Sequence, residues 1–281
     1  MNSVHGKIRA LPGRRKMVPP FRKGVHLLPN LCTTGGLFCG FYAIIATFKE
    51  EYRVAAIAVL IALVFDALDG RIARITKTSS HFGVEYDSLS DLVAFGVAPG
   101  VLAYRWALEL WGVWGWLAAA LYVTCGALRL ARFNIQVGVV DKKSFVGLPI
   151  PAAASVLATT ILMYYYLGGE GATNKHLILL LLVYTLAGLM VSSIRYYSFK
   201  EMNIRHRQPF WILIAGIILI QLIIAEPQIM LFSIASLFAL SGPVRSLIGL
   251  RQKNPETLAS EPSPESQAQT RTLDNDQRSS V

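Results

Sequence analysis

The sequence predicts an all-α membrane protein, a polytopic bundle of about eight transmembrane helices with both termini in the cytoplasm. Three observations predict it. Of 281 residues, 53% are hydrophobic and 16% charged, with a mean hydropathy of +0.46, whereas a soluble domain carries about 25% charged residues. Eight apolar runs follow one another, at about 27–48, 54–74, 87–108, 111–129, 148–167, 176–194, 209–225 and 228–246. Several are near the lower length limit for crossing a ~30 Å hydrocarbon core. The charge is also lopsided: if the runs alternate in direction, only Lys49, Arg53, Arg105 and Lys175 of the 27 Lys and Arg fall on the outer side. That bias places both ends inside. It also accounts for the net charge of +10 without a nucleic-acid partner.

Taken in order, residues 1–26 form a basic juxtamembrane segment, with Arg14, Arg15, Lys16, Arg22 and Lys23. No small-residue cleavage site follows an apolar core there, so the segment reads as lying on the anionic lipid surface rather than as a leader. The membrane domain covers 27–250. Its first run opens on Leu28-Pro29-Asn30, with Thr33 and Thr34 following. Proline suits a helix start, and the Asn and Thr serve either as caps or as polar groups of a site. Connections are short, so sequence neighbours are expected to pack as antiparallel pairs. Trp106, Trp111, Trp114 and Trp116 read as an outer aromatic belt. The inner loop after the fourth run holds Arg129, Arg132, Asn134 and Gln136. Gly147-Leu-Pro-Ile-Pro151 breaks the helix as the chain re-enters the membrane. Arg195-Tyr-Tyr and Arg205-His-Arg207 read as interface anchors. Cys32, Cys39 and Cys125 all lie in apolar stretches and read as packing residues rather than disulfides. Residues 251–281 are polar without aromatics and read as a disordered cytoplasmic tail.

Against this apolar background, four carboxylates stand out: Asp66, Asp69, Asp87 and Asp91. Ionisable residues at membrane depth are costly and mark function. Asp66 and Asp69 are three apart and Asp87 and Asp91 four apart, so each pair projects from one helix face. Twelve residues from Val54 bring the helix down about 18 Å by Asp66, into the last third of the core. The next helix climbs back from Asp87, so both pairs share the cytoplasmic end of two antiparallel helices. Four negative charges there call for cations. An all-oxygen set with no His or Cys nearby in sequence suits hard divalent ions, Mg²⁺ or Mn²⁺. Gly70, Ala73 and Gly83 let a bulky ligand approach the backbone, and Arg71, Arg74 and Lys77 add positive charge. Metal ions with Arg suit a diphosphate.

The full pattern, Asp66-x2-Asp69-Gly70-x2-Ala73-Arg74-x8-Gly83-x3-Asp87-x3-Asp91, resembles the signature of the CDP-alcohol phosphatidyltransferases, with every family position filled. The stretches 82–99, 128–134 (Leu-Arg-Leu-Ala-Arg-Phe-Asn), 147–151 and 195–200 look like the bacterial, integral-membrane branch that makes phosphatidylserine. In the glycerol-phosphate branch a proline usually follows the third Asp, and Ser88 stands there instead.

The resemblance implies transfer of the phosphatidyl group of CDP-diacylglycerol to L-serine, giving phosphatidylserine and CMP, in the bacterial inner membrane with the site on the cytoplasmic side. It implies two divalent ions, Mg²⁺ or Mn²⁺, on Asp66, Asp69, Asp87 and Asp91. It makes Asp91 the general base, which the residues alone do not single out from the four. It implies CDP-diacylglycerol contacts from Gly70, Ala73, Arg74, Gly83 and Ser80, with Asn30 and Thr33 bordering the cytidine. It also implies membrane lipid as a partner, and a homodimer. Arg129, Arg132 and Asn134 suit the carboxylate of an amino-acid acceptor, because Arg grips a carboxylate through two parallel bonds. The competing readings are the same chemistry with inositol phosphate, glycerol phosphate or choline as acceptor, a non-catalytic binding protein, and a cation transporter. A transporter would need a matching acidic pair near the outer side, and the sequence holds none.

Overall fold

The structure is a computed structural model that describes residues 27–76, 81–136, 144–173, 176–197 and 209–252. Among them stand eight helices: α1 (Leu27–Phe48), α2 (Tyr52–Thr76), α3 (81–111), α4 (Val113–Gln136), α5 (Ile150–Tyr166), α6 (Leu177–Val191), α7 (Pro209–Ala225) and α8 (Pro227–Gln252). One short antiparallel ribbon joins β1 (Ser144–Val146) to β2 (Arg195–Tyr197). Among the described residues, three helical stretches are by themselves long and apolar enough to cross a membrane: Leu28–Phe48, Val113–Ile135 and Pro227–Ser246. Stretches of α5 and α6 are apolar but shorter. Apart from that ribbon the regular elements among the described residues are all helical, and their apolar helices are those of the membrane protein that the composition predicts.

Alanine dominates the interior. Ala43, Ala55, Ala62, Ala94, Ala98 and Ala153 are each completely or almost completely buried. Lipid is as apolar as a leucine side chain, so helices in a membrane associate through close packing, and small residues permit it. Gly40 marks the tightest approach: a Cβ added there would lie 2.6 Å from the Cα of Ala94, across the α1–α3 contact. α5 is the central rod, buried along nearly its whole length from Ala153 to Leu162.

Helix α3 changes pitch along its length. It is α-helical over His81–Asp91, π-helical over Leu92–Val97, α-helical over Ala98–Ala103, π-helical again over Tyr104–Leu108 and 3-10 over Glu109–Trp111. Pro99 gives a physical reason for the first π turn. It has no N–H for the carbonyl four residues back, that of Phe95, and its ring crowds that carbonyl. The wider turn relieves the crowding. Buried Tyr122 of α4 then donates its hydroxyl to the Phe95 carbonyl at 3.1 Å. α8 repeats the arrangement. Pro243 lies inside it, and the carbonyl four residues back, Ala239, accepts the Tyr196 hydroxyl at 3.1 Å. In hydrocarbon each backbone polar group must find a partner within the protein.

Several expectations change. Sequence neighbours pack together for α1 and α2, where the turn at 49–51 folds the chain back. α3 and α4 also pack as neighbours, but α4 lies against α6 rather than α5, and α5 lies against α2 and α8. The β ribbon shows why: the chain after α4 pairs with the chain after α6. Beyond the ribbon the Gly147 amide donates to Ile194 O at 2.9 Å and the Leu148 amide to Leu189 O at 3.0 Å. Gly147 takes φ +84°, with the Met190 carbonyl where a Cβ would stand, so only glycine fits.

The third helix begins at His81, not Asp87, and the fourth reaches Gln136. Arg129, Arg132 and Asn134 are therefore helical, not in a loop. Trp106 is not a belt residue: it is 4% exposed and meets Tyr164 edge-on, with ring centroids 5.4 Å apart. Trp114 and Trp116 are 65% and 51% exposed, as a belt requires. Tyr196 is likewise no surface anchor; its buried ring packs on Gly242 and Phe238. Burial pushes its hydroxyl up to about 12, so it remains a donor at neutral pH. The described cysteines are free, as expected. The basic segment 1–26, residues 77–80, the Arg205-His-Arg207 stretch and the tail from 253 lie outside the described residues.

Candidate active site

The carboxylates meet where α2 ends and α3 begins. One ligand oxygen each from Asp66, Asp69 and Asp87 falls within 4.8 Å of the others. Asp69 is buried, and Asp66 and Asp87 are half-buried. Asp91, one turn deeper on α3, is not part of this triad, although it lies within electrostatic reach of all three and of Arg129. The structure thus brings three of the four expected ligands together and sets the fourth beside them.

Helix α1 supplies the support. The Thr33 hydroxyl donates to Asp69 Oδ2 at 2.9 Å, with the Pro29 carbonyl at 3.1 Å as its other acceptor. Thr33 is only 5% exposed. It therefore acts beneath the carboxylate it orients, in addition to any role beside a nucleotide. Thr34 donates to the Asn30 carbonyl at 2.7 Å and shares a 2.9 Å bond with the Tyr86 hydroxyl. Because α1 already begins at Leu27, Asn30 lies inside the helix and is not its cap.

Three polar residues of α3, interleaved with the aspartates, fasten it to its neighbours. Tyr86 bonds Thr34, Ser90 donates to the Thr33 carbonyl at 3.0 Å, and Ser88 accepts from Asn134 Nδ2 at 3.0 Å. The bonds of Tyr86 and Ser90 to α1 set the rotation of α3 and hence the direction of Asp87, while that of Ser88 ties α3 to α4. The sequence reading passed over Tyr86 and Ser90 and saw Ser88 only as a family marker. The readable signal was the alternation of polar side chains at 86, 88 and 90 just before a long apolar stretch.

Gly70, Ala73 and Gly83 are half-buried and Arg74 is exposed. A Cβ on Gly70 would meet only the Arg74 guanidinium, at 3.6 Å, so the backbone there is open to a ligand. Arg132 is exposed, while Arg129 and Asn134 are half-buried. Ser80 lies outside the described residues. Of the buried polar atoms that have no hydrogen-bond partner among the described residues, two lie at this end, Asp87 Oδ1 and Arg129 Nε; Arg105 Nε and Trp106 Nε1, at the other end of α3, are further cases. Buried polar groups are normally paired. A free carboxylate oxygen within an all-oxygen triad fits a hard divalent cation, and a free guanidinium edge fits an anion.

Fold and site together define a class: an integral membrane protein with a carboxylate centre suited to a metal-bound, lipid-anchored phosphate. The chain belongs to the CDP-alcohol phosphatidyltransferase family, whose profile matches residues 26–194. It is 39% identical over 224 residues to a CDP-diacylglycerol–serine O-phosphatidyltransferase of Helicobacter pylori, covering 79% of this chain and 92% of that protein. It is 35% identical over 177 residues to the Bacillus subtilis protein of the same name, covering 63% of this chain and 93% of that protein. An archaetidylserine synthase of Methanothermobacter thermautotrophicus is 36% identical over 171 residues, which is 60% of this chain and 69% of that protein.

Proposed function

We propose that the protein transfers the phosphatidyl group of CDP-diacylglycerol to the hydroxyl of L-serine, giving phosphatidylserine and CMP. The observation that carries this reading is the approach of Asp66, Asp69 and Asp87 within 4.8 Å at one end of a membrane helix bundle. The named relatives support serine as acceptor. The site lies at the cytoplasmic edge of the bacterial inner membrane, with both termini on that side. There the acyl chains stay in lipid while the nucleotide and serine arrive from water.

Asp66, Asp69, Asp87 and Asp91 would hold two divalent ions, Mg²⁺ or Mn²⁺, which neutralise the diphosphate and the departing CMP. The open backbone at Gly70, with the small residues Ala73 and Gly83, admits the CDP moiety, with Arg74, Ser80 and Asn30 at its border. Thr33 holds Asp69 in its ligating orientation, since partners behind a ligand fix its direction. Arg129 and Arg132 receive the serine carboxylate. Asp91, set apart from the triad, accepts the proton of the serine hydroxyl. The serine oxygen bonds to the phosphatidyl phosphorus, the bond from that phosphorus to the bridging oxygen breaks, and CMP leaves with that oxygen.

The test uses purified full-length protein in detergent with CDP-diacylglycerol, Mg²⁺ or Mn²⁺, and labelled L-serine. The expected result is serine-labelled lipid and CMP in equal amounts, both abolished by chelator. Product only with inositol phosphate, glycerol phosphate or choline would overturn serine as acceptor, and cation flux in liposomes without CMP release would overturn the enzyme reading.

A further inference from the structure

Helices α3 and α4 meet along a seam with two hydrogen-bonded cross-links and an arginine between them. Deepest, Tyr122 donates to the Phe95 carbonyl at 3.1 Å. Next, Arg129 lies within electrostatic reach of Asp91. Outermost, Asn134 Nδ2 donates to Ser88 Oγ at 3.0 Å, while the Ser88 hydroxyl donates to its own helix, at Val84 O, also 3.0 Å away. Residue numbers fall on α3 as they rise on α4, as an antiparallel seam requires. Arg129 is thus bracketed by two neutral hydrogen bonds, one on each side along the seam. Its Nε has no acceptor among the described residues. The placement of the helix therefore decides where the guanidinium stands.

The deep bond goes to the Phe95 carbonyl, from which Pro99 withholds the usual donor four residues on. The outer bond lies in the last turn of α4, where helix ends fray. Beyond Gln136 the next described element is β1. Ser88–Asn134 is thus the fastening nearest the mouth of the seam among the described residues. It shares α3 with both aspartates: Ser88 is adjacent to Asp87 and three residues from Asp91.

We propose that the Ser88–Asn134 hydrogen bond is a positioning element for the acceptor: it holds the mouth of the α3–α4 seam closed and fixes Arg129 beside Asp91. The acceptor's carboxylate and hydroxyl then arrive at the two groups together. This rests on the serine-transfer reading, and it gives Asn134 a role different from that of a direct acceptor ligand. Its amide is committed to Ser88, and the neighbouring arginines remain to receive the carboxylate. An unfastened seam leaves the α2 half of the site intact, so CDP-diacylglycerol binding is spared.

The test compares Ser88→Ala, Asn134→Ala, the double variant and Ser88→Thr as full-length proteins. KM is measured for serine at saturating CDP-diacylglycerol and for CDP-diacylglycerol at saturating serine. Loss of one hydrogen bond of this kind corresponds to about a fivefold change. The expected result is a serine KM raised about fivefold in either alanine variant, no further rise in the double variant because the two residues act as one pair, and recovery in Ser88→Thr. The CDP-diacylglycerol KM stays within about twofold of wild type throughout. Equal changes in both KM values, additive single effects, or a lowered melting temperature with unchanged KM would each overturn the proposal. If Asn134→Ala does not fold, the milder Ser88→Ala against Ser88→Thr decides it. Wild-type protein that uses a different alcohol overturns the serine reading instead, and the same KM split measured with that alcohol then decides the seam.

Discussion

The two ends of α3 handle charge in opposite ways. At the far end, Arg105 binds both carboxylate oxygens of Glu109, at 2.8 and 2.7 Å, and stands 3.6 Å from Glu50 of the α1–α2 turn. The cation there has its counter-charges in direct contact, although Arg105 Nε, like Arg129 Nε, has no hydrogen-bond partner among the described residues. At the near end, three carboxylates crowd within 4.8 Å, Asp87 keeps an unpartnered oxygen, and Arg129, within electrostatic reach of Asp91, has its Nε unpartnered among the described residues. One end pairs opposite charges in direct contact, and the other crowds like charges together. The difference separates charges that fasten a bundle from charges that do chemistry.

The largest expected effect breaks the near end. Asp91→Asn should retain CDP-diacylglycerol binding and lose turnover by about 10²- to 10⁴-fold, the range a positioned base contributes. Asp66→Asn should weaken metal-dependent substrate binding as well. CMP release and binding of labelled CDP-diacylglycerol, measured on both variants, separate the two roles, and retained turnover in both would remove them. A smaller effect is expected one layer back. Thr33→Val keeps the shape but loses the donor to Asp69, and the Mg²⁺ concentration for half-maximal activity should rise about 10-fold or more. An unchanged metal requirement would reduce Thr33 to packing. The smallest effect belongs to the far end. Arg105→Gln should lower stability by about 1 kcal/mol or less, since exposed ion pairs contribute little, with kcat and both KM values unchanged. A large kinetic effect there would erase the contrast between the ends.

The sequence makes local features of the site legible and leaves long-range ones hidden. Asp66 with Asp69, and Asp87 with Asp91, are readable because helical spacing alone puts each pair on one face. The bond from Thr33 to Asp69 spans 36 residues and that from Thr34 to Tyr86 spans 52. No local pattern announces either. The eight helices are readable from hydropathy, but their partners are not. In a soluble helix the apolar stripe shows which side is buried. A membrane helix is apolar on both its lipid and its protein sides, so nothing in the run of α4 pointed to α6 over α5. Trp106 and Tyr196 were misplaced for the same reason: an aromatic residue near a helix end reads as a belt or anchor unless its buried neighbours, Tyr164 and Gly242, are known. His81 to Tyr86 lay outside the apolar run, which hid the true start of α3.

The two tyrosine–proline arrangements bear on the order in which the chain can be assembled. Each proline passes a bond that would have been local to a distant residue. The carbonyl of Phe95 emerges from synthesis 27 residues before Tyr122, so the bond that replaces the one lost at Pro99 forms only when α4 arrives. Ala239 is the reverse case: Tyr196 precedes it by 43 residues and is already present when α8 inserts. The bundle therefore has a direction of completion. An early helix waits for its successor, and the last helix docks onto a donor set in advance, so that α3–α4 and the ribbon with α8 are natural units of insertion.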